Sequence, residues 1–220
     1  EAALHMRLIR SLKDKIFIFN HSYNKEGKFH QVILCCPKKF ESFNLLVGTL
    51  TARSINILGA KIYARKDGII IISVNIGGTE RLTEDNLEVW KDLTQDLRDI
   101  FEGRKNLSML LAERTRYVLE KKSNEEVIPK VEVDNKNDPN FSVIRIESRD
   151  HLGMLYKISE IFANFKIQIH SAKISTQGGR GIDVFYVSLQ NKKLLSEKLV
   201  RDVKEKLGSA ILIKNSKDIG

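Results

Sequence analysis

The sequence predicts an α+β protein built from two βαββαβ units in tandem. Three observations carry the prediction. One segment is written twice: Ile55-Asn56-Ile57-Leu58-Gly59-Ala60-Lys61-Ile62 returns as Ile167-Gln168-Ile169-His170-Ser171-Ala172-Lys173-Ile174, an offset of 112 residues from Ala60 to Ala172. A period that long is too large for a solenoid repeat and suits a duplicated small domain. Around each copy, runs of β-branched residues alternate with segments of helical apolar spacing. The chain's 220 residues suffice for two small domains with modest cores. The element order is the split βαβ of ferredoxin-like domains.

In chain order, Leu4, Leu8 and Leu12 mark an amphipathic helix that opens at Glu1, which reads as the tail of a preceding domain in a longer protein. Residues 16–19 and 29–36 read as strands around a hairpin turn at Asn24–Lys28, and Pro37 ends the second. Residues 41–54 read as a helix with Leu45, Leu46, Thr49 and Leu50 inward. Strands 56–65 and 69–76 meet at Lys66-Asp67-Gly68, and Asp-Gly is a strong hairpin signal. A helix over 83–102 is predicted from Leu87, Trp90, Leu93, Leu97 and Ile100, with Thr83 as N-cap and Gly103 as its stop. Leu107, Leu110, Leu111 and Val118 indicate a helix over 106–121. Val131 and Val133 alternate with charge, as in a short strand that would close the first sheet.

The second unit reads as strand 141–147, turn 148–152, helix 153–165, strands 168–176 and 181–189, helix 194–207 ending at Gly208, and a last strand at Ala210–Lys214. The helix stripe is Leu155, Ile158, Ile161, Phe162 and Phe165. The division expected is 1–28 for the tail plus hairpin strand, 29–135 for the first domain with its helical insert, and 136–220 for the second.

The offset is taken to run without a gap, placing Leu46 and Leu50 on Ile158 and Phe162, and Ile70, Ile72 and Val74 on Ile182, Val184 and Tyr186. In both copies the second strand changes parity: Ile55 and Ile57, then Ala60 and Ile62; Ile167 and Ile169, then Ala172 and Ile174. A slip of one residue turns side chains to the other face, so a bulge is predicted in each. The third strands are apolar on both parities, at Ile69–Ile72 and Val184–Val187. A sheet with helices on one face needs only one apolar parity, so the far face should be covered by the other domain or another subunit.

Composition excludes several classes. No apolar run approaches the roughly 20 residues that cross a bilayer, and no signal peptide is apparent. Cys35 and Cys36 are the only cysteines and point to opposite faces of a strand, so no disulfide framework exists and a cytoplasmic setting is expected. The net charge of +9 is dispersed among acidic neighbours rather than gathered in a binding tail. An RNA-recognition sheet would carry an aromatic signature after Arg180-Gly181, but Ile182, Asp183 and Val184 break it, so no nucleic-acid partner is expected. There is no phosphate loop, no metal-ligand spacing among the five histidines, and no paired carboxylates for acid–base work, so no catalytic residue and no metal ligand is assigned.

The most site-like segment is Arg149-Asp150-His151-Leu152-Gly153-Met154-Leu155, between a strand end and a helix start. Free N–H groups at a helix N-terminus attract carboxylates, Gly153 lets a ligand approach the backbone, and Asp150 could hold an ammonium group. The combination suits a free amino acid; equally, Asp150 could only cap the helix and Gly153 only serve the turn.

Ile169–Ile174, followed by Gly181-Ile182-Asp183-Val184-Phe185-Tyr186-Val187, closely resembles the last ACT domain of the bifunctional PII uridylyltransferase/uridylyl-removing family. Leu107–Arg114 is similar to that family's Leu-x-x-Leu-Leu-Ala segment, and Val131–Asn135 to its Val-x-Ile-Asp-Asn strand. The resemblance implies two ACT domains that follow nucleotidyltransferase and HD hydrolase domains and sense glutamine or another small amino acid. It implies control of UMP addition to, and removal from, the PII nitrogen-signalling protein. No cofactor is implied for this chain; Mg2+ and UTP would serve the other domains. A homodimer is compatible with such domains, and no membrane partner is implied.

The family's loop reads like Asp-Arg-Pro-Gly-Leu; here Asp150 and Gly153 match, while His151 and Leu152 stand for Arg and Pro. In the first copy Lys38-Lys39-Phe40-Glu41-Ser42 has lost both Asp and Gly. The resemblance therefore places the pocket in the second copy, with Asp150, His151, Leu152, Gly153, Met154 and Leu155 above a floor of Gln168, Ile169, His170 and Ser171, where the family has Asn for Gln168. The alternative is an ACT scaffold for dimerisation or packing whose ligand site has decayed.

Overall fold

The computed structural model describes residues 2–37, 41–77, 82–83, 86–115, 128–149, 151–177, 180–190, 192–193 and 196–212. It contains two ferredoxin-like α+β units in tandem. In the first, β1 (Ile18–Asn24), β2 (Phe29–Pro37), β3 (Ile57–Ala64) and β4 (Ile69–Gly77) form an antiparallel sheet in the order β1-β2-β4-β3. The second has β5 (Lys130–Asp134), β6 (Ser142–Arg149), β7 (Ile167–Lys173) and β9 (Arg180–Leu189) in the order β5-β6-β9-β7, with the short β8 (Thr176–Gln177) paired to β9.

In each unit the edge strand comes first in the chain, not last. The edge beside β2 is taken by β1, and the edge beside β6 by β5. The Val131/Val133 strand therefore belongs to the second sheet and does not close the first, so sheet membership cuts the chain before residue 130 rather than after 135. The strand expected at 210–214 is not seen over its described part, 210–212. Ala210 and Ile211 instead continue α6 (Glu197–Ile211), which runs through Gly208 because Val203, Leu207 and Ile211 keep one buried stripe. Ile213 and Lys214 lie outside the described residues.

The helices α2 (Ser42–Ala52) and α3 (Leu87–Phe101) cover one face of the first sheet, and α5 (Met154–Asn164) and α6 cover the second. On α3 the cap is Asn86, whose side chain accepts from Val89 N–H at 3.4 Å. Thr83 does not cap; its carbonyl accepts the Trp90 indole N–H at 3.1 Å. Leu87, expected inward, is 62% exposed, one turn ahead of the buried stripe of Trp90, Leu93, Leu97 and Ile100. Gly103 does stop the helix, at φ +73. In α4 (Leu107–Thr115), Leu107 and Leu110 are buried; Val118 lies outside the described residues.

Both predicted bulges are present, between Ile57 and Gly59 in β3 and between Ile169 and Ser171 in β7. The repeat is not gapless beyond them. Ile72 pairs with Leu34, and Asp183 pairs with Ile146, the residue equivalent to Leu34. Ile72 thus corresponds to Asp183, an offset of 111, because the second hairpin is one residue shorter; the alignment of Ile70, Ile72 and Val74 with Ile182, Val184 and Tyr186 is corrected accordingly.

The far face of the first sheet is covered by α1 (Ala2–Leu12): Leu8 and Leu12 pack on Ile33, Cys35 and Ile71. Cys35 and Cys36 sit in different apolar clusters, on opposite faces of β2. Burial pushes the Cys35 thiol pKa up.

The two units lie side by side. Edge strands β3 and β7 abut, α2 packs on α5, and the buried cluster is continuous across the seam. Asn44 donates across it to Ser159 Oγ at 3.1 Å. Gly48 on α2 is where three elements converge: a Cβ there would stand 2.6 Å from Leu107 Cδ2 on α4 and 2.9 Å from Tyr156 Cδ2 on α5.

Candidate functional site

The connection from β6 to α5 is shaped by its own sequence. Ser148 and Arg149, read as turn residues, still belong to the strand. Gly153 then takes φ +85 as the N-cap of α5, a left-handed conformation that glycine adopts without the clash a Cβ brings. Met154 N–H donates to the His151 carbonyl at 3.2 Å, and Lys157 N–H to the Gly153 carbonyl at 3.0 Å. Ser148 Oγ–H points to Met154 Sδ at 2.9 Å, which holds the helix start against the strand end. His151 Nδ1 lies 3.3 Å from the Arg149 carbonyl. Asp150 lies outside the described residues.

A small cavity opens at this loop, and it is a shared one. The second unit contributes His151, Leu152, Gly153, Met154, Leu155, Ile174 and Asp183. The first contributes Thr51, Ile55, Asn56 and Ile57, from the end of α2 and the start of β3. The residues expected as a floor, Gln168–Ser171, are not among those that line this cavity. Gln168, Ile169, His170 and Ser171 lie on β7 and do not line the cavity; His170 Nε2 is 2.8 Å from Ser188 Oγ and its ring packs near Phe141. Asn56 does line it, and Asn56 is the first-copy counterpart of Gln168 at the offset of 112. The loop of one copy thus meets the strand start of the other.

Thr51, Ile55, Asn56, Ile57, Ile174 and Asp183 line the cavity without having been site candidates in the sequence, and Asp183 is the acid among them. It is 1% exposed, on the helix-facing side of β9 between Gly181 and Phe185, where the first unit carries Ile72. The available signal was a single acid in the apolar run Ile182–Val187. The cavity encloses about 20 Å3. That is room for one water, which needs about 10–15 Å3, and far short of the about 300–1,000 Å3 typical of small-molecule pockets. Among the described residues no three His, Cys, Asp or Glu side chains converge as metal ligands would. Among the same residues no helix is long and apolar enough to cross a membrane.

Two ferredoxin-like units abutting by edge strands and helices, with a loop of one facing a strand start of the other, define a tandem ACT-like pair. Residues 130–214 match the family model described as "ACR9-like, ACT-like domain". Over 77% of its length the chain is similar to bifunctional uridylyltransferase/uridylyl-removing enzymes. It is 29% identical to that of Rhodospirillum rubrum over 170 residues and 30% identical to that of Azospirillum brasilense over 179. The chain spans 18% of the length of each of these relatives. A solved unknown protein from Galdieria sulphuraria aligns over 82% of this chain and 89% of its own at 10% identity and a TM-score of 0.26, a likeness that carries no argument.

Proposed function

We propose that this chain is a regulatory amino-acid-sensing region, with glutamine as its ligand, that controls uridylylation and deuridylylation of the PII nitrogen-signalling protein by nucleotidyltransferase and HD domains outside it. The observation that carries the reading is the shared cavity: a Gly153 loop and a buried acid from one unit face Thr51 and Asn56 from the other. Asp150, His151, Leu152, Gly153, Met154 and Leu155 are the second-unit contacts in this proposal, and Asn56 takes the place first assigned to Gln168.

The cavity's size sets the mechanism. An amino acid does not fit in 20 Å3, so binding has to part the seam between the loop and the end of α2. A ligand that binds only the parted arrangement shifts the pair toward it, by as much as its affinity for the two arrangements differs. The same small volume favours a second reading, an ACT scaffold that packs domains or subunits and binds nothing.

Calorimetric titration of the chain with glutamine and other amino acids separates the two. Heat with glutamine that is lost in Asn56→Ala and Asp150→Ala supports sensing. Silence with every amino acid leaves the scaffold.

A further inference from the structure

We propose that the outer edge of β5 is the contact through which two copies of this chain pair, antiparallel about Val131, as a dimer. β5 ends the second sheet. It pairs with β6 on one side, and among the described residues nothing pairs with its other side. An open strand edge presents backbone N–H and C=O groups to any strand that matches it. A second copy of β5 is such a strand.

The side chains choose the register. Val131 and Val133 pack towards the core, so Lys130 and Glu132 stand on the face away from the helices. Across the pair of strands, Glu147 of β6 is opposite Lys130, and Arg145 is opposite Glu132. The signs alternate along each strand too: Lys130 Nζ is 2.7 Å from Glu132 Oε1, and Arg145 Nε is 2.8 Å from Glu147 Oε1. Opposite charges directly across a strand pair stabilise it, and like charges destabilise it. With the twofold axis at Val131, Lys130 meets Glu132 of the second copy, and Glu132 meets Lys130 of the second copy. The row then reads Glu147, Lys130, Glu132, Arg145 through the joint with no break in alternation. An axis at Glu132 would set two glutamates face to face, and one at Val133 would set Glu132 against Asp134. Only the Val131 axis extends the pattern.

The helix side of the same edge fits a copy of itself as well. A groove of about 590 Å3 lies between β5 and α6, lined in part by Val131 and Val200, by the acids Glu197 and Glu205, and by the cations Arg201 and Lys204. A chain with a net charge of +9 repels its copies, so a self-contact has to be locally balanced. This edge is balanced on both of its faces. The outer edge of the first unit, β1, carries no Lys, Arg, Asp or Glu, so no charge pattern there fixes a register.

Sedimentation velocity of the full chain over a range of concentrations tests the proposal. Wild type is expected to pass from monomer to dimer as concentration rises. Lys130→Glu and Glu132→Lys each set like charges opposite one another at both crossings. Each should weaken dimerisation by about tenfold or more. Mixing the two variants puts opposite charges back at both crossings, so the mixture should dimerise near the wild-type concentration, as a pair with one chain of each kind. That recovery also shows both variants to be folded. A wild type that stays monomeric at every concentration leaves the edge to another partner or to solvent, and overturns the proposal. So does a dimer that neither substitution weakens, because its contact then lies elsewhere. A mixture that remains monomeric overturns it too, because the charges then do not face each other. Glutamine titration reads the seam cavity separately, so either proposal can fail alone.

Discussion

Gly153 and Thr51 meet across the seam between the two units: a Cβ added to Gly153 would stand 3.3 Å from Thr51 Cγ2. The same glycine holds φ +85, so one residue meets both a backbone demand and a packing demand. Gly153→Ala should cost about 1–2 kcal/mol from the left-handed backbone alone, plus the displacement of Thr51. Thr51→Ser removes the offending methyl and keeps the hydroxyl that donates to the Val47 carbonyl at 2.8 Å. The double variant is expected to regain the packing share and not the backbone share, read from urea unfolding midpoints of the four proteins. Full recovery would show that φ is not strained.

Arg53, at the end of α2, forks onto Asp96 Oδ2 of α3 through Nε at 2.9 Å and Nη2 at 2.6 Å, and Lys105 Nζ reaches Asp96 Oδ1 at 3.0 Å. Asp96 has a side chain only 4% exposed, so its removal leaves Arg53 half-buried without this fork. Asp96→Ala should destabilise by about 3 kcal/mol, the low end for breaking a buried pair, since both cations retain some water. Chemical denaturation measures it, and a loss under about 1 kcal/mol would place this network among the ordinary surface pairs.

Tyr156, half-buried beside Gly48, donates its hydroxyl to Glu160 Oε1 at 2.9 Å. Burial first, and then the hydrogen bond to Glu160 and its charge, push the phenol well above its ordinary value. The folded state therefore holds this proton more tightly than the unfolded chain. Its stabilising contribution is full below the ordinary tyrosine range near 10 and is lost as pH rises above it. Thermal melts between pH 9 and 11 should fall more steeply in wild type than in Tyr156→Phe. Parallel curves would show that Tyr156 does not contribute to the alkaline slope.

The bulges were legible because a parity change along a strand has one cheap structural outcome, and Ile57/Gly59 and Ile169/Ser171 realise it at the same offset. The stripe on α5 was legible because Leu155, Ile158, Ile161 and Phe162 keep helical spacing without interruption. Other features depend on pairings between distant segments, which periodicity does not encode. Val131 and Val133 alternate correctly for either sheet, and only competition for the edge beside β6 decides. Gly208 looks like a stop, yet the contact of Ile211 with the core outweighs the roughly 1 kcal/mol that a helical glycine costs. The repeat revealed which residues are equivalent but not which are adjacent, and that hid the place of Asn56 in the cavity lining.

That distinction yields the sharpest prediction. A duplicated pair packed side by side has two places where a loop can meet a strand start. One joins the Gly153 loop to Asn56; the other would join the first-copy loop, where Lys38-Lys39-Phe40 has replaced the Asp and lies outside the described residues, to Gln168. Sequence retention at the loop and at Asn56 coincides at the first place only. Asn56→Ala should therefore weaken glutamine binding by about tenfold or more, the scale of one well-placed hydrogen bond to a charged group, while Gln168→Ala leaves it within twofold or so. Titration of the two variants against the same wild-type protein should also give one site per chain. The reverse ranking would return the floor to Gln168 and break the cross-domain assignment, whatever the ligand proves to be.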